Sequence, residues 1–396
     1  MAGFWKKFTH RERPGGPEKE PLAGRTIEGV GTSITALIGG ARDGPVNRPT
    51  LIHSFGEFDR IFGGLWERSP LSFAVHQYYL NGGRDALIIR VNASEDARIS
   101  DADLMGNREN QSGIHALDGG STFNLLCLPP PVSGLDVTPA TWATAADYCR
   151  GRRAFLLVDP PAAVRDPAAV SSWVAGLPAM AGENAAVFFP RVRATNPLNG
   201  GRLGELAPGG AVAGVFARSD AARGVWKAAA GPEADLKGVP ELAYSLNDAE
   251  NDRLNQRGIN SLRALPEGGP VIWGSRTLAA ADGTSGDWQY IPVRRLALYI
   301  EASLYRGTEW AVFEANDERL WAALRTSVEG FMQDLFRRGA FQGSAADEAY
   351  FVRCDSRTTT PGDVEAGLVN IEVGFAPLKP AEFVVVKVQQ RAGRRR

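Results

Sequence analysis

The sequence is poor in the residues that secreted scaffolds and metalloenzymes depend on. Its three cysteines, Cys127, Cys149 and Cys354, are widely spaced, odd in number and without a C-x-x-C pair. That argues against a disulfide framework or a zinc site and fits a reducing compartment. Only four histidines are present, His10, His53, His76 and His115, all in the first third, so positioned bases are scarce. No stretch approaches eighteen uninterrupted apolar residues, and the basic start from Met1 to Arg13 is followed by no apolar run. These absences exclude a spanning helix and a secretory signal, so the chain is expected to be made and kept in the cytosol, without direct membrane insertion. Neither sign of charge dominates. Forty-four Lys and Arg against 45 Asp and Glu leave a net charge of -1, and no overall field draws in nucleic acid or anionic lipid. The local basic clusters, Lys6, Lys7, Arg11 and Arg13 at one end and Arg391, Arg394, Arg395 and Arg396 at the other, read as solvated tails. Two N-x-S matches, at Asn92 and Asn110, carry no weight in a reducing compartment.

What is present is an ordinary globular composition, 44% hydrophobic and 22% charged, in a chain of 396 residues, long enough for two or three domains that fold without staples. Residues 1–24 include RPGGPEKEPLAG and read as a flexible arm. Residues 25–100 form a small mixed α/β unit: a strand-like TSITALIG, a helix opened by Ser54 and Glu57 as a capping box, a second opened by Ser69-Pro70, then a strand DALIIRV. Over 101–280, the runs TFNLLCL, AFLLVD, AAVFFP and AVAGVFA (211–217) alternate with helical patterns near 139–151, 167–180 and 219–229. All four runs read as buried strands of a largely parallel sheet, giving a central α/β domain. Residues 281–396 carry two long helices, near 293–306 and 317–338. In the second, Asn316 can cap, and Leu320, Leu324, Val328, Phe331 and Leu335 fall on one face. Two alternating strands, Leu368 to Phe375 and Phe383 to Val388, close the chain. The expected fold is therefore multidomain, α/β and α+β. The central parallel domain stands beside a mixed domain that joins the N-terminal unit to the C-terminal helices and strands. No internal repeat is visible.

Motifs for catalytic chemistry are few and incomplete. GGARDG at Gly39 to Gly44 lacks the Lys and hydroxyl of a phosphate loop, and Gly29-Val30-Gly31 lacks the third glycine of a dinucleotide turn. There is no G-x-S-x-G. Asp248, Glu250 and Asp252 have Arg253 and Ile259 where a calcium loop needs Gly and Glu, and read as an acidic helix start. The nine tryptophans follow no basic stripe and read as core. Asp159, ending a strand where α/β enzymes place acids, and Cys354, ending YFVRCD, are the candidates for a competing hydrolase-like reading; capping and burial are their structural alternatives. No cofactor and no metal site is expected.

Six long segments, in order, carry a resemblance. They are GVGTSITALIGGARDGPVNRPTLIHSFGEFDRIFGGLW, GAVAGVFARSDAARGVWKAAAG, LNQRGINSLRAL, VIWGSRTLA, RRLALYIEASLYRGTEWAVFEANDERLW and GLVNIEVGFAPLKPAEFVVVKVQQ. From about Gly29 to Gln390 they closely resemble the tail sheath family of contractile phages, phage-derived bacteriocins and contractile injection systems. The resemblance implies a noncatalytic subunit that polymerises with copies of itself as helical rings around an inner tail tube protein. It further implies assembly on a baseplate in an extended high-energy state, with a terminator or cap at the far end, and contraction that drives the tube into a target. A sheath subunit placed at the baseplate or cap end is the alternative within the family. On this view the protein is assembled in the cytoplasm and ends up in a phage tail or similar particle.

The closing strands support such assembly on their own chemistry. FVVVKV carries branched apolar residues and ends the pattern with a strand that leaves an edge, for which strand addition from a neighbour is a natural cover. Ile371, Val373, Phe383, Val384, Val385, Val386, Lys387 and Val388 are the residues expected in intersubunit strand exchange. The resemblance further implies that the long helix faces the tube, with Arg325, Arg337 and Arg338 as candidate contacts. One departure is the start: instead of a PGVY-type strand the chain has MAGFWKKFTHRERPGG, so that either Phe4 to Phe8 supply a shorter donor strand or the subunit is specialised.

Overall fold

The computed structural model describes residues 24–378, apart from 93–95, 97, 267 and 283–285, together with 384–391. The expected arm, with Phe4 to Phe8 and its basic residues, Phe383, and the arginines after 391 lie outside the described residues. Along the first two thirds run β1 (Thr35–Gly39), β2 (Thr50–Ile52), α1 (Phe55–Phe62), α2 (Pro70–Leu80), β3 (Ala86–Arg90), α3 (Asp101–Met105), β4 (Leu125–Cys127), α4 (Pro139–Gly151) and β5 (Phe155–Val158). They continue with α5 (Pro167–Ala175), β6 (Ala185–Phe189), β7 (Val192–Thr195), β8 (Leu203–Leu206), α6 (Gly209–Arg223), β9 (Glu241–Leu242), α7 (Asp248–Gln256), β10 (Ile259–Leu265) and β11 (Gly269–Ile272). The last third holds α8 (Ile291–Gly307), α9 (Glu318–Arg337), α10 (Ala346–Ala349), β12 (Tyr350–Arg353), α11 (Pro361–Ala366), β13 (Leu368–Phe375) and β14 (Val384–Arg391).

Local chemistry sets several of these boundaries. Ser54 caps α1 by accepting the Glu57 N–H, while Glu57 reaches back to the His53 N–H at 2.8 Å, one residue before the expected box partner. Ser69 caps α2 with Pro70 in its first turn. The acidic start of α7 is a capping box between Asn247 and Glu250. At α9 the cap is Asp317, not Asn316. Asn316 is buried, donates to the Leu368 carbonyl at 2.7 Å and accepts from Trp321 Nε1 at 2.8 Å, so it ties the helix start to β13 instead.

The large sheet has the order β11-β10-β6-β5-β4-β1-β3-β2, parallel except for its outer strands β2 and β11. Its inner strands are buried on both faces, as continuous apolar runs require. Leu37, Ile88 and Phe188 face α1, α2 and α6; Ile38, Ile89 and Val187 face α3, α4, α5 and α7. The strands of the N-terminal unit are therefore part of the central sheet. The expected mixed domain uniting that unit with the C-terminal helices does not form; only the segment around Ile27 and Val30 packs there.

AVAGVFA is the second correction. Residues 211–217 form the middle of α6 and are buried throughout, so the helix shows no polar face and reads as a strand. Its fit against α2 depends on glycine: a Cβ at Gly210 or Gly214 would collide with the Ala74 or Tyr78 backbone. The strand position beside β6 belongs to β10, whose buried Asn260 and Ser261 hide it in the sequence.

In the C-terminal domain α8 and α9 cover a three-stranded antiparallel sheet, β12-β13-β14. Leu320, Leu324, Val328, Phe331 and Leu335 are all buried there, as their spacing predicts. A third sheet, β8-β7-β9, packs Val192, Leu206 and Leu242 against the core of the central domain.

Candidate assembly surface

The β13–β14 pair is in register from Leu368 opposite Arg391 to Phe375 opposite Val384, with Ile371 facing Val388 and Val373 facing Val386. Alternation decides what each residue does. Ile371, Val373, Val386 and Val388 are buried against the helices, whereas Lys387 is exposed and 3.6 Å from Glu372, which Arg353 also reaches at 3.4 Å. The face away from the helices thus mixes Glu372, Arg353 and Lys387 with Phe351 and Leu368, and of the exchange residues with described side chains only Lys387 is solvent-facing.

The backbone edge is what remains available. β14 pairs with β13 on one side, and among the described residues no strand pairs with its other side. An eight-residue edge of this kind is a template for a further strand. Beside it, Gln390 Nε2 donates to the Tyr305 carbonyl, and the turn Glu309–Phe313 lies against the strand. Phe313 in that turn is 85% exposed, the most exposed large apolar side chain among the described residues. The sequence does not single it out, because Phe313 ends the apolar run Trp310-Ala311-Val312 and so reads as part of a buried segment.

Arg325 and Arg337 of α9 and Arg338, which caps its C-terminus, do not form one group. Arg325 donates to the Cys354 carbonyl at 2.7 Å and sits 3.9 Å from Glu318, so it braces its own domain. Arg337 and Arg338 are exposed at the other end, about 18 Å further along the axis at 1.5 Å per residue. Arg338 lies 3.6 Å from Asp334 and stacks 5.1 Å from the Trp226 ring.

Cys354 and Asp159 both have structural roles. Cys354 is buried, and desolvation pushes its thiol up to about 12. Asp159 accepts the Gly209 N–H at the start of α6 at 2.9 Å, a helix cap. Among the described residues no group of acidic, histidine or cysteine side chains is arranged to hold a metal ion, and no helix is long and apolar enough to cross a membrane.

Residues 105–278 match the family model of the phage tail sheath protein central domain, and residues 284–391 match that of the phage tail sheath C-terminal domain. The chain belongs to the tail sheath family. The sheath protein of Enterobacteria phage T4 is 27% identical over 155 residues, which is 39% of this chain and 22% of the T4 protein. The present sheath-family chain thus spans about a fifth of the length of that relative. Among solved structures, the helical sheath of the anti-feeding prophage in its contracted state matches with a TM-score of 0.72 at 26% identity, covering 95% of this chain and 99% of that one. A chain of the sixfold-symmetrised anti-feeding prophage baseplate matches with a TM-score of 0.70 at 26% identity, over 95% and 98%.

Proposed function

We propose that this chain is the repeating structural subunit of a contractile sheath. Copies polymerise around an inner tube, capped at one end and seated on a baseplate at the other, and contraction drives the tube into a target. The observation that carries the reading is the end-to-end likeness to a contracted helical sheath subunit, which covers both sheath domains in order. The open edge of β14 supports it, since strand addition would tether neighbours while their domains rotate. Such a subunit is structural and not catalytic: energy resides in a metastable packing, and a few kcal/mol per subunit summed over a polymer suffices. Arg337 and Arg338 are the cations we assign to the tube.

Electron microscopy of the purified chain tests the reading: tubes or stacked rings are expected, and discrete compact oligomers under all assembly conditions would sink it. The likeness to a baseplate chain favours one second reading, a sheath subunit confined to the baseplate end. Quantifying copies per particle separates the two, many for a repeating subunit and one ring for a terminal one.

A further inference from the structure

Outside the carboxyl ends of β4, β5 and β6 the central domain holds a cavity of about 580 Å³, within the roughly 300–1,000 Å³ usual for small-molecule sites. It lies beside the place where strand order reverses: β3 is added on one side of β1, then β4, β5 and β6 on the other. Open α/β sheets bind ligands in the crevice at such a point. One wall is apolar, formed by Pro70 and Phe73 of α2, Pro130 after β4 and Leu206 of β8.

The rest is charged, and unevenly. Four carboxylates, Glu67, Asp136, Asp159 and Glu205, line the space against two guanidiniums, Arg165 and Arg191. Both arginines lie beside carboxylates: Arg191 Nε is 3.2 Å from Glu205 without forming a hydrogen bond, its Nη1 is 3.8 Å from Asp136 and donates to the Pro160 carbonyl at 3.2 Å, and Arg165 is 3.5 Å from Glu205. Asp159 is 7% exposed, and while its Oδ1 caps α6, its Oδ2 accepts no hydrogen bond among the described residues. Glycine keeps the space beside that oxygen clear, because a Cβ at Gly209 would stand 2.8 Å from Oδ2. A nearly buried carboxylate oxygen without a donor, in a cavity with surplus negative charge and one greasy wall, matches an amphipathic cation.

We propose that this cavity binds an aliphatic primary ammonium ion, its methylene stem against Phe73, Pro130 and Leu206 and its N–H groups donating to Asp159 Oδ2. A free polyamine and a lysine side chain from another protein segment share this chemistry. The site is independent of the assembly reading above and stands or falls separately.

Calorimetric titration of the purified chain with spermidine, and in parallel with N-acetyl-lysine methylamide, tests it at pH 6 and pH 8. Burial holds the Asp159 proton up to about 7. The ammonium ligand must displace that proton, so affinity should rise about tenfold between the two pH values. Asp159→Asn keeps an acceptor for Gly209 and should bind at least tenfold more weakly with an unchanged circular dichroism spectrum; Gly209→Ala, which crowds Oδ2, should weaken binding likewise and serves if the first variant misfolds. Preference for spermidine assigns a free polyamine and preference for the lysine derivative a protein side chain, and either supports the site. No saturable binding of either probe, binding by both variants equal to that of the parent, or tighter binding at pH 6 than at pH 8 overturns it.

Discussion

Arg295 of α8 and Asp220 of α6 form a two-pronged ion pair, 2.6 and 3.0 Å, with side chains only 5% and 3% exposed. It crosses from the C-terminal domain to the central one, and Arg295 also donates to the Thr32 carbonyl at 2.9 Å. Beside it Arg294 donates to Asn184 at 2.8 and 3.1 Å. The two domains are thus joined by directional polar contacts as well as by apolar packing. Removing one partner leaves a buried charge, so Asp220→Ala should lower unfolding free energy by roughly 3–5 kcal/mol. In denaturant titration, the double variant Asp220→Leu with Arg295→Met should recover most of that loss; a single variant as stable as the parent would mean that water enters the junction.

The acid at the start of α6 makes stability pH-dependent. Burial raises the folded-state value of Asp159 from 3.8 to about 7, with Arg191 and the Gly209 N–H opposing the rise. A raised value means that the folded state holds the proton more tightly. Its stabilising contribution is complete below pH 4, falls as pH rises toward 7, and is flat above. Asp159→Asn should therefore gain on the parent as pH rises from 4 to 7, by up to about 1.4 kcal/mol per pH unit. Melting curves across that range check the slope; parallel curves would show an ordinary, solvated carboxylate.

Packing and intrinsic propensity oppose each other at Gly214. Alanine is favoured over glycine inside a helix by about 1 kcal/mol, yet a Cβ there meets the backbone of α2. Overpacking costs about 1–3 kcal/mol, so Gly214→Ala should be net destabilising, and Gly214→Val more so. A higher melting temperature for the alanine variant would mean that α2 and α6 separate easily.

Phe313 offers a test of assembly separate from folding. At 85% exposure, Phe313→Asp should change subunit stability by no more than about 0.5 kcal/mol, while polymerisation, followed by sedimentation and microscopy, should be lost or need much higher concentration. Polymers formed as readily as by the parent would remove this turn from the interface.

Charge reversal separates the ends of α9. Arg337→Glu with Arg338→Glu should abolish co-assembly with the tube at a small cost in stability, set by the loss of the Arg338 contacts with Asp334 and Trp226, whereas Arg325→Glu should act first on stability, since Arg325 is bonded to the Cys354 carbonyl. Co-pelleting of tube and sheath at parental levels by the double reversal would dismiss the tube contact.

Elements with one wet and one dry side were legible from residue order. The caps at Ser54 and Ser69, the apolar stripe from Leu320 to Leu335, the alternation of β13 and the need for cover beside β14 all follow from periodicity and local hydrogen bonding. Elements without a wet side were not. Helix α6 has no solvent face along residues 209–217 and so lost its period, and β10 places Asn260 in the interior because its amide bonds to the Val187 and Arg276 carbonyls, partners 73 and 16 residues away. The same limit applied to the surface: that Arg325 turns inward while Arg337 stays exposed, and that Phe313 stands beside an open strand, depends on neighbours distant in sequence. Sequence alone determined the amphipathic elements and the family; only tertiary packing decided what the fully buried segments form, which elements share a sheet, which charges are engaged, and which edge is left for another chain.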